Sequence, residues 1–275
     1  MKNPDHKTFL MKCADGFRLN RVIELDNNSL PSIGFAVLRA AQGERLHFST
    51  EEEETCLVIL SGRWRIRVGG EEFLCKRASV FDEKPSAIYL PSHTEFDLKT
   101  EQEGEVAFCE GKGSERKKVI FVSPSQVKER HLGSDNFQRI ALDVLHENLG
   151  ANSLLVGETI SKPGNWSSFP PHKHDTDNMP HETALEELYF FRFKPREGFG
   201  VQRIYTDDRL VDEVFLLEDR SVVLIPFGYH PVVASPGYSL YYLWVLAGKT
   251  RMLRPYFDPT HKWLETYDGS QNRAL

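Results

Sequence analysis

The sequence lacks any apolar run long enough to cross a bilayer, because the longest, at positions 240–247, has only eight residues. The N-terminus, MKNPDHKTFL, lacks the apolar stretch of a secretory signal. Positive charge is not in excess either, since 34 basic residues stand against 40 acidic ones and give a net charge of −6. Such a chain is a poor ligand for nucleic acid or anionic membranes. These absences predict a cytoplasmic protein that binds a small molecule, with no nucleic-acid or membrane partner.

Cysteine is scarce, and no two cysteines have the CxxC spacing of a metal-binding knuckle. The four that occur all lie in the first 110 positions: Cys13, Cys56, Cys75 and Cys109. This usage argues against both a zinc ribbon and a disulfide framework. We therefore expect buried, reduced thiols.

Helical periodicity is also scarce. Short runs rich in Val, Ile, Phe, Tyr and Leu alternate instead with Gly, Pro, Asp and Asn, which is typical of strands joined by turns. The stretch RWRIRVGGEEF at 63–73 predicts a hairpin that turns at Gly69-Gly70. The pattern predicts an all-β protein made of barrels or sandwiches.

The chain also repeats itself. EETCLVILSG is followed by Pro91 in the first half, and EELYFFRFKP is followed by Pro226 in the second, at similar distances. We interpret this as two copies of one small β-barrel. The predicted domains are a first barrel at 1–122, a linker at 123–150 and a second barrel at 151–275.

The densest group of potential metal ligands lies in the second copy. His172 and His174 are two positions apart, so on a strand both imidazoles point to one face. Glu187 opens the next strand-like run, and His230 follows a Pro-x-Gly turn. Three neutral imidazoles and one carboxylate suit a divalent ion, with Zn²⁺, Mn²⁺, Fe²⁺, Ni²⁺ and Co²⁺ all acceptable.

Three neighbouring residues compete for places in this ligand set. His181 and Glu182 lie in the loop between His174 and the next strand, and Glu186 precedes Glu187. We favour Glu187, because it then shares a strand face with Tyr189. The first copy has no HxH, so its barrel is predicted to be free of metal.

The HxH, the following Glu and the PxGxH resemble the cupin signature, which implies two double-stranded β-helix barrels, a bicupin. The strings VGETISKPGNWSSFPPHKHD, LEELYFFRF and IPFGYHPVVASPGYSLYYL further resemble the bacterial 5-deoxy-glucuronate isomerase family of inositol catabolism. One departure is Trp244, where that family has Asn.

The resemblance implies a metal-dependent aldose–ketose isomerase that converts 5-deoxy-D-glucuronate to 2-deoxy-5-keto-D-gluconate, without an organic cofactor. Glu158 and Tyr189 are the candidate bases. Tyr229 and Tyr242 are expected to line the pocket.

The uronate carboxylate requires a cation, and the planar fork of an arginine suits it best. Arg203 is the first choice, with Arg192 and Arg251 as alternatives.

Other functions remain compatible with the same residues. They are the related 4-deoxy-5-ketouronate isomerase of pectin breakdown, an iron- or nickel-dependent dioxygenase, and a sugar-binding cupin without turnover. A homo-oligomer is also compatible with the sequence.

Overall fold

The structure, a computed structural model, describes residues 9–113 and 117–267. The predicted domains also include positions 1–8, 114–116 and 268–275, which lie outside the described residues. In the described part the chain forms strands with two short 3-10 turns, so the predicted all-β class is confirmed. No helix in this part is long and apolar enough to cross a membrane.

The described residues form twenty-one strands, numbered here in chain order. The first nine are β1 Leu10–Lys12, β2 Leu19–Ile23, β3 Ile33–Ala40, β4 Arg45–Ser49, β5 Glu53–Val68, β6 Glu71–Arg77, β7 Ala87–Leu90, β8 Glu95–Lys112 and β9 Ile120–Val122. The others are β10 Lys128–Leu132, β11 Arg139–Leu145, β12 Leu154–Ser161, β13 Trp166–Ser167, β14 His172–Lys173, β15 Glu186–Lys194, β16 Phe199–Tyr205, β17 Asp212–Glu218, β18 Ser221–Ile225, β19 Val232–Ala234, β20 Ser239–Ala247 and β21 Tyr256–Phe257.

The first barrel is built from one continuous sheet. Its two longest strands, β5 and β8, have 16 and 18 residues and pair with each other along most of their length. Register shifts between Ile59 and Trp64 interrupt this ladder, so that the first half of β5 also pairs with β7 and the second half with β6. Such irregularities bend strands and let a sheet curl around its own core.

The second barrel consists of a large sheet and two smaller ones. The large sheet has the order β1-β18-β15-β20-β12-β11-β10, and a four-stranded sheet of order β13-β19-β16-β17 covers its inner face. A third sheet pairs β14 with β21. The barrel interior is packed mainly with aromatic and aliphatic side chains, including Tyr189, Phe191, Phe215 and Tyr242.

The two barrels pack through the outer faces of their large sheets. In β15, Leu188 and Phe190 point toward the first barrel, and the ring of Phe190 lies 5.5 Å from that of Phe35. Tyr189 and Phe191 alternate with them and point into the second barrel. Both faces of β15 are therefore buried, which explains why its sequence is a nearly continuous apolar run.

The strand pairing crosses the predicted domain boundaries. The range 123–150, predicted as a linker, contains β10 and β11, which extend the large sheet of the second barrel. β1, from the first half, pairs with β18 of the second barrel. Neither feature has a strong sequence signal, because β10 is mostly exposed and β1 has only three residues.

The repeated strings align Glu54 with Glu187, but the strand pairing of the two barrels is offset from this alignment by one residue. Thr55 pairs with Leu90 immediately before Pro91, and Glu187 pairs with Ile225 immediately before Pro226. Thr55, rather than the neighbouring glutamate, therefore takes the place of Glu187 in the first barrel.

A buried ion pair joins the two barrels. The guanidinium of Arg77, at the end of β6, binds both oxygens of Glu158 on β12, at 2.6 and 2.7 Å. Tyr241 donates a further hydrogen bond to Glu158 at 2.8 Å, and Arg77 also donates to the carbonyls of Ile59 and Glu83. Both charged side chains have no exposed surface. Removing one partner of such a pair leaves an uncompensated buried charge.

We therefore expect Glu158→Gln to destabilise the protein by about 3–5 kcal/mol. Chemical denaturation followed by circular dichroism measures the effect. Glu218→Gln is the matched control, because Glu218 forms an exposed pair with Lys12, and its transition midpoint should equal that of the wild type. An unchanged midpoint for Glu158→Gln would show that the pair does not stabilise the junction.

Candidate metal centre

Two short elements bring three histidines together inside the second barrel. His172 lies on β14, which pairs with β21, and His174 follows two positions later on the same face. Lys173, between them, points to the opposite side. His230 arrives from the turn after β18, and its ring centroid is 4.8 Å from that of His172 and 5.1 Å from that of His174. One ligand atom from each histidine lies within 4.8 Å of the others.

Glu187 completes the cluster from the inner face of β15. Its Oε2 lies 3.0 Å from Nε2 of His174 and 3.2 Å from Nε2 of His230. The four side chains that the sequence singles out as ligands thus converge.

Backbone carbonyls fix the orientation of two imidazoles. Nδ1 of His174 is 2.9 Å from the carbonyl oxygen of Leu185, and Nδ1 of His230 is 2.9 Å from that of Gly228. A neutral ring that donates from Nδ1 presents a bare lone pair at Nε2. Nε2 of His230 is buried, and Oε2 of Glu187 lies 3.2 Å from it, outside ideal hydrogen-bond geometry.

The surroundings of the cluster favour the protonation states that bind a metal in two residues, the neutral imidazole of His172 and the ionised carboxylate of Glu187. Burial, followed by the charges of His230 and His174, holds the pKa of His172 well below its usual value, so this imidazole is neutral at pH 7. Burial raises the pKa of Glu187, but hydrogen bonds and charge from His174 and His230 outweigh it and lower the pKa to about 2. For His174, burial lowers the pKa, yet the hydrogen bond to Glu187 leaves it raised.

These residues fit a divalent cation. In the neutral rings, the lone pairs at Nε2 of His174 and His230 face a carboxylate oxygen, an arrangement that needs a proton or a cation between the groups. Three imidazoles and one carboxylate are ligands that Zn²⁺, Mn²⁺, Fe²⁺, Co²⁺ and Ni²⁺ accept. The donor set does not select one of these ions.

A network of carboxylates holds the loop that carries the HxH. Glu182 accepts hydrogen bonds from the backbone N–H groups of Asp175 and Thr176 and from the ammonium of Lys173. Asp175 in turn accepts from the N–H of Gly228 at 2.8 Å, which ties the HxH loop to the turn before His230. Glu182, a rival ligand in the sequence, therefore supports the loop.

The glycine of the second turn is required by its conformation. Gly228 has φ of +83°, and a Cβ there would lie 2.7 Å from the carbonyl oxygen of Tyr205. Only glycine adopts this conformation without strain. The turn places His230 opposite Glu187.

The two other rival ligands lie away from the cluster. His181 is exposed in the loop. Glu186 points to the outer face of β15, where its carboxylate accepts hydrogen bonds from the N–H and hydroxyl of Ser32.

One candidate base, Tyr189, and one predicted pocket residue, Tyr242, line the interior beside the cluster. The rings of Tyr189 and Tyr242 are 4.4 Å apart, and Tyr189 is 5.9 Å from the ring of His230. Their hydroxyls pair with Ser168 at 2.9 Å and with Ser167 at 2.5 Å. Burial, followed by the negative charge of Glu187, raises the pKa of Tyr189 well above its usual value.

Trp244 also points inward, because it pairs directly with Tyr189 across the sheet. Its indole lies over Gly157, where a Cβ would come within 2.0 Å of the ring. The absence of a side chain at Gly157 makes room for the tryptophan.

The structure does not bring Glu158 to the cluster, and this corrects its assignment as a candidate base. Its carboxylate lies on the outer face of β12 and is taken up by Arg77. The sequence could not reveal this, because the ion-pair partner comes from the other barrel.

Tyr229 is not brought to the cluster either. It is buried, but its hydroxyl donates to Asp207 and its ring stacks on Tyr205 at 5.0 Å. It sits next to His230 in sequence, but its hydroxyl is engaged elsewhere.

The three arginines predicted to bind a carboxylate are all engaged elsewhere. Arg203 lies on the outer face of β16 and forms a bidentate pair with Asp212, with both contacts at 2.6 Å. Arg192 pairs with Glu105 and Asp219. Arg251 donates to backbone carbonyls between positions 145 and 154. None of them reaches the metal cluster.

Two strand-built barrels packed back to back, with three histidines and a glutamate inside one of them, define a bicupin. Comparison with known proteins agrees on both fold and family. A family model described as KduI/IolB matches residues 9–264. The chain belongs to the KduI/IolB family, and it is an isomerase of that family.

Individual proteins show the same relationship. The 5-deoxy-glucuronate isomerase of Geobacillus kaustophilus strain HTA426 is 42% identical over 235 residues, which cover 84% of this chain and 85% of the relative. The crystal structure of an IolB-like protein from Salmonella typhimurium LT2 superposes with a TM-score of 0.91 at 36% identity and covers 94% of this chain and 99% of that one. An oxalate decarboxylase from Lactobacillus farciminis reaches a TM-score of 0.67 at 10% identity, with 94% and 90% covered, and shows the fold alone.

The geometry predicts which of two adjacent glutamates holds the metal. We expect Glu187→Gln to lose stoichiometric metal, because an amide oxygen is a much poorer ligand than a carboxylate. His174→Ala should behave in the same way. Elemental analysis of purified protein gives the metal content per chain, and circular dichroism confirms folding.

Glu186→Gln is the matched control and should keep the wild-type metal content, because this side chain binds Ser32 on the other face of the strand. His181→Ala should also keep it. Loss of metal from either control, with retention in Glu187→Gln, would contradict the assignment.

Proposed function

We propose that this protein is a metal-dependent aldose–ketose isomerase that converts 5-deoxy-D-glucuronate to 2-deoxy-5-keto-D-gluconate in inositol catabolism. The observation that carries the proposal is the convergence of Glu187 with Nε2 of His174 and His230 in a buried, inward-facing cluster. The names of relatives that are similar over most of their length support the substrate.

The reaction moves one hydrogen from C2 to C1 and one hydroxyl proton from the oxygen of C2 to the oxygen of C1. His172, His174, Glu187 and His230 would hold the ion. Lewis-acid polarisation of the C1 carbonyl and C2 hydroxyl oxygens is the chemistry that a divalent ion supplies when bound. The acidity of the C2 hydrogen rises when negative charge on these oxygens is stabilised.

Tyr189 is suited to handle the oxygen-bound protons. Its raised pKa keeps the phenol protonated at neutral pH, so the group acts first as a proton donor. Ser168 contacts the hydroxyl oxygen at 2.9 Å and positions it. In the proposed reaction Tyr189 donates its proton to a substrate oxygen and recovers one as the product forms.

The rest of the interior orients the substrate and excludes water. Tyr242 packs against Tyr189, and Ser167 holds its hydroxyl. Because both tyrosines are buried, the polar groups around the cluster act in a medium of low dielectric constant, where their effect on a developing charge is larger.

The direct test is a time course by NMR spectroscopy with 5-deoxy-D-glucuronate under anaerobic conditions. We expect the aldehyde signals to be replaced by those of the ketose, and metal removal by a chelator to stop the conversion. Parallel assays use 4-deoxy-5-ketouronate as the competing substrate and an oxygen electrode to detect dioxygenase activity. Oxygen-dependent turnover, or conversion of the ketouronate alone, would overturn the proposal.

Replacing the tyrosine tests its role separately. We expect Tyr189→Phe to lower kcat by roughly 10²-fold or more, the range of a general acid, with metal content unchanged. Tyr241→Phe is the matched control, because this hydroxyl points to the other face of the sheet and binds Glu158. Equal kcat values for Tyr189→Phe and the wild type would remove Tyr189 from the mechanism.

A further inference from the structure

One arginine that the sequence does not single out lies on the inner face of the second barrel. Arg139 opens β11 and pairs directly with Ser161 of β12. Ser161 in turn pairs with Leu240 of β20, a residue of the interior core. Directly paired residues of an antiparallel sheet project to the same face. The side chain of Arg139 therefore shares that inner face with Tyr242.

The guanidinium of Arg139 has no anionic partner among the residues that the structure describes. Among residues 9–113 and 117–267, the hydrogen bond that the structure gives its guanidinium is to the carbonyl of Phe137 at 3.1 Å, and no carboxylate forms an ion pair with it. Most arginines in this barrel are paired with aspartate or glutamate, as Arg130 is with Asp143. A partly buried cation without a paired anion is costly to keep unless a ligand supplies the charge.

The electrostatic neighbours of Arg139 are the residues of the candidate site. Burial lowers its pKa, and the hydroxyl groups of Tyr242 and Tyr189 are the next largest influences. After burial and the other ligand side chains, its positive charge contributes to lowering the pKa of His172. Arg139 thus lies within electrostatic range of both tyrosines and of the metal cluster.

Two polar atoms inside the same barrel also lack partners, one on the strand residue paired with Arg139 and one on the covering sheet. The hydroxyl of Ser161 and the Oε1 of Gln202 are buried and have no hydrogen-bond partner among the described residues. Both side chains have no exposed surface. Gln202 lies on β16 of the covering sheet, and its amide nitrogen reaches the carbonyl of His230 at 3.4 Å. Buried polar groups without partners are rare and mark places where a ligand completes the hydrogen bonds.

We propose that Arg139 and Ser161 bind the carboxylate of a sugar-acid substrate, and that Gln202 accepts a hydrogen bond from one of its hydroxyl groups. This inference rests on the proposed function and specifies its substrate class as open-chain polyhydroxy monocarboxylates. The carbonyl end then lies at the metal cluster and the carboxylate at β11. The guanidinium binds the carboxylate through two parallel N–H groups, and the serine hydroxyl donates a third hydrogen bond.

The first experiment compares the uronate with its neutral counterpart, 5-deoxy-D-glucose, in which a hydroxymethyl group replaces the carboxylate. We expect Arg139→Met to raise KM for the uronate roughly 10- to 100-fold, as the loss of a charge-assisted contact predicts. KM for the neutral aldose should not change. Arg139→Lys should recover part of the affinity, because it keeps the charge but loses the planar fork.

Arg130→Met is the matched control, since this arginine lies on the neighbouring strand and pairs with Asp143 at the surface. It should leave both KM values unchanged. Metal content and circular dichroism verify that each variant is folded and loaded.

The second experiment does not depend on turnover. The protein is stripped of metal with a chelator and titrated with D-gluconate, and with sorbitol as the uncharged control, by isothermal calorimetry. We expect gluconate to bind to the wild type and to Arg130→Met, and at least about tenfold more weakly to Arg139→Met. Sorbitol binding should be the same for all three proteins.

The outcomes separate the two proposals. If the wild type converts neither sugar but the calorimetric difference persists, the proposed reaction fails and the carboxylate site stands. If the wild type converts the uronate and Arg139→Met keeps its KM, the carboxylate site is overturned and the reaction stands. Equal gluconate binding by the wild type and Arg139→Met, or no binding to either, also overturns it.

Discussion

The antiparallel pairing of β15 with β18 and β20 is the constraint on which the other features depend. This strand is buried on both faces, so its residues alternate between two roles. Leu188 and Phe190 hold the barrels together, while Glu187 and Tyr189 point into the second barrel. Because the side-chain period of a strand is two, a shift of one residue would exchange these roles completely. The packing between the barrels therefore fixes which glutamate reaches the histidines. The same register of β15 determines both the contact between the barrels and the composition of the metal cluster.

The sequence predicts those parts of the site that depend on local geometry. The spacing of His172 and His174 places both on one side of a strand, and the turn at Gly228 delivers His230. The choice of Glu187 over Glu186 also follows from alternation. The failures concern partners that are distant in sequence. In the sequence, Glu158 has the features of a catalytic base, because its ion-pair partner Arg77 is 81 residues away and lies in the other barrel. The arginines on outer faces could not be distinguished from Arg139 before the strand order was known.

The large sheet of the second barrel also explains how polar side chains are accommodated in an apolar core. The inner faces of β15 and β20 carry aromatic side chains whose hydroxyls are held by Ser167 and Ser168. Polar atoms therefore line the interior without disturbing the packing around them. On the opposite face of the same sheet, polar groups are paired across the two barrels, as Arg77 is with Glu158 and Arg192 is with Glu105. One sheet thus separates the buried Arg77–Glu158 pair from the polar groups of the candidate metal centre.

The pairing of β1 with β18 has a consequence for biosynthesis. Leu10 is opposite Val223, so β1 leaves the ribosome about 200 residues before its partner strand exists. At 5–20 residues per second this corresponds to a delay of roughly 10–40 s. During that interval the first barrel has time to form, whereas the segment at Leu10–Lys12 has no strand to pair with. Once β18 has been made, its edge stays open until β1 covers it, and an open edge is a site where chains associate wrongly. The native pairing of β1 can therefore form only after β18 has been made, and it then covers an edge of the large sheet.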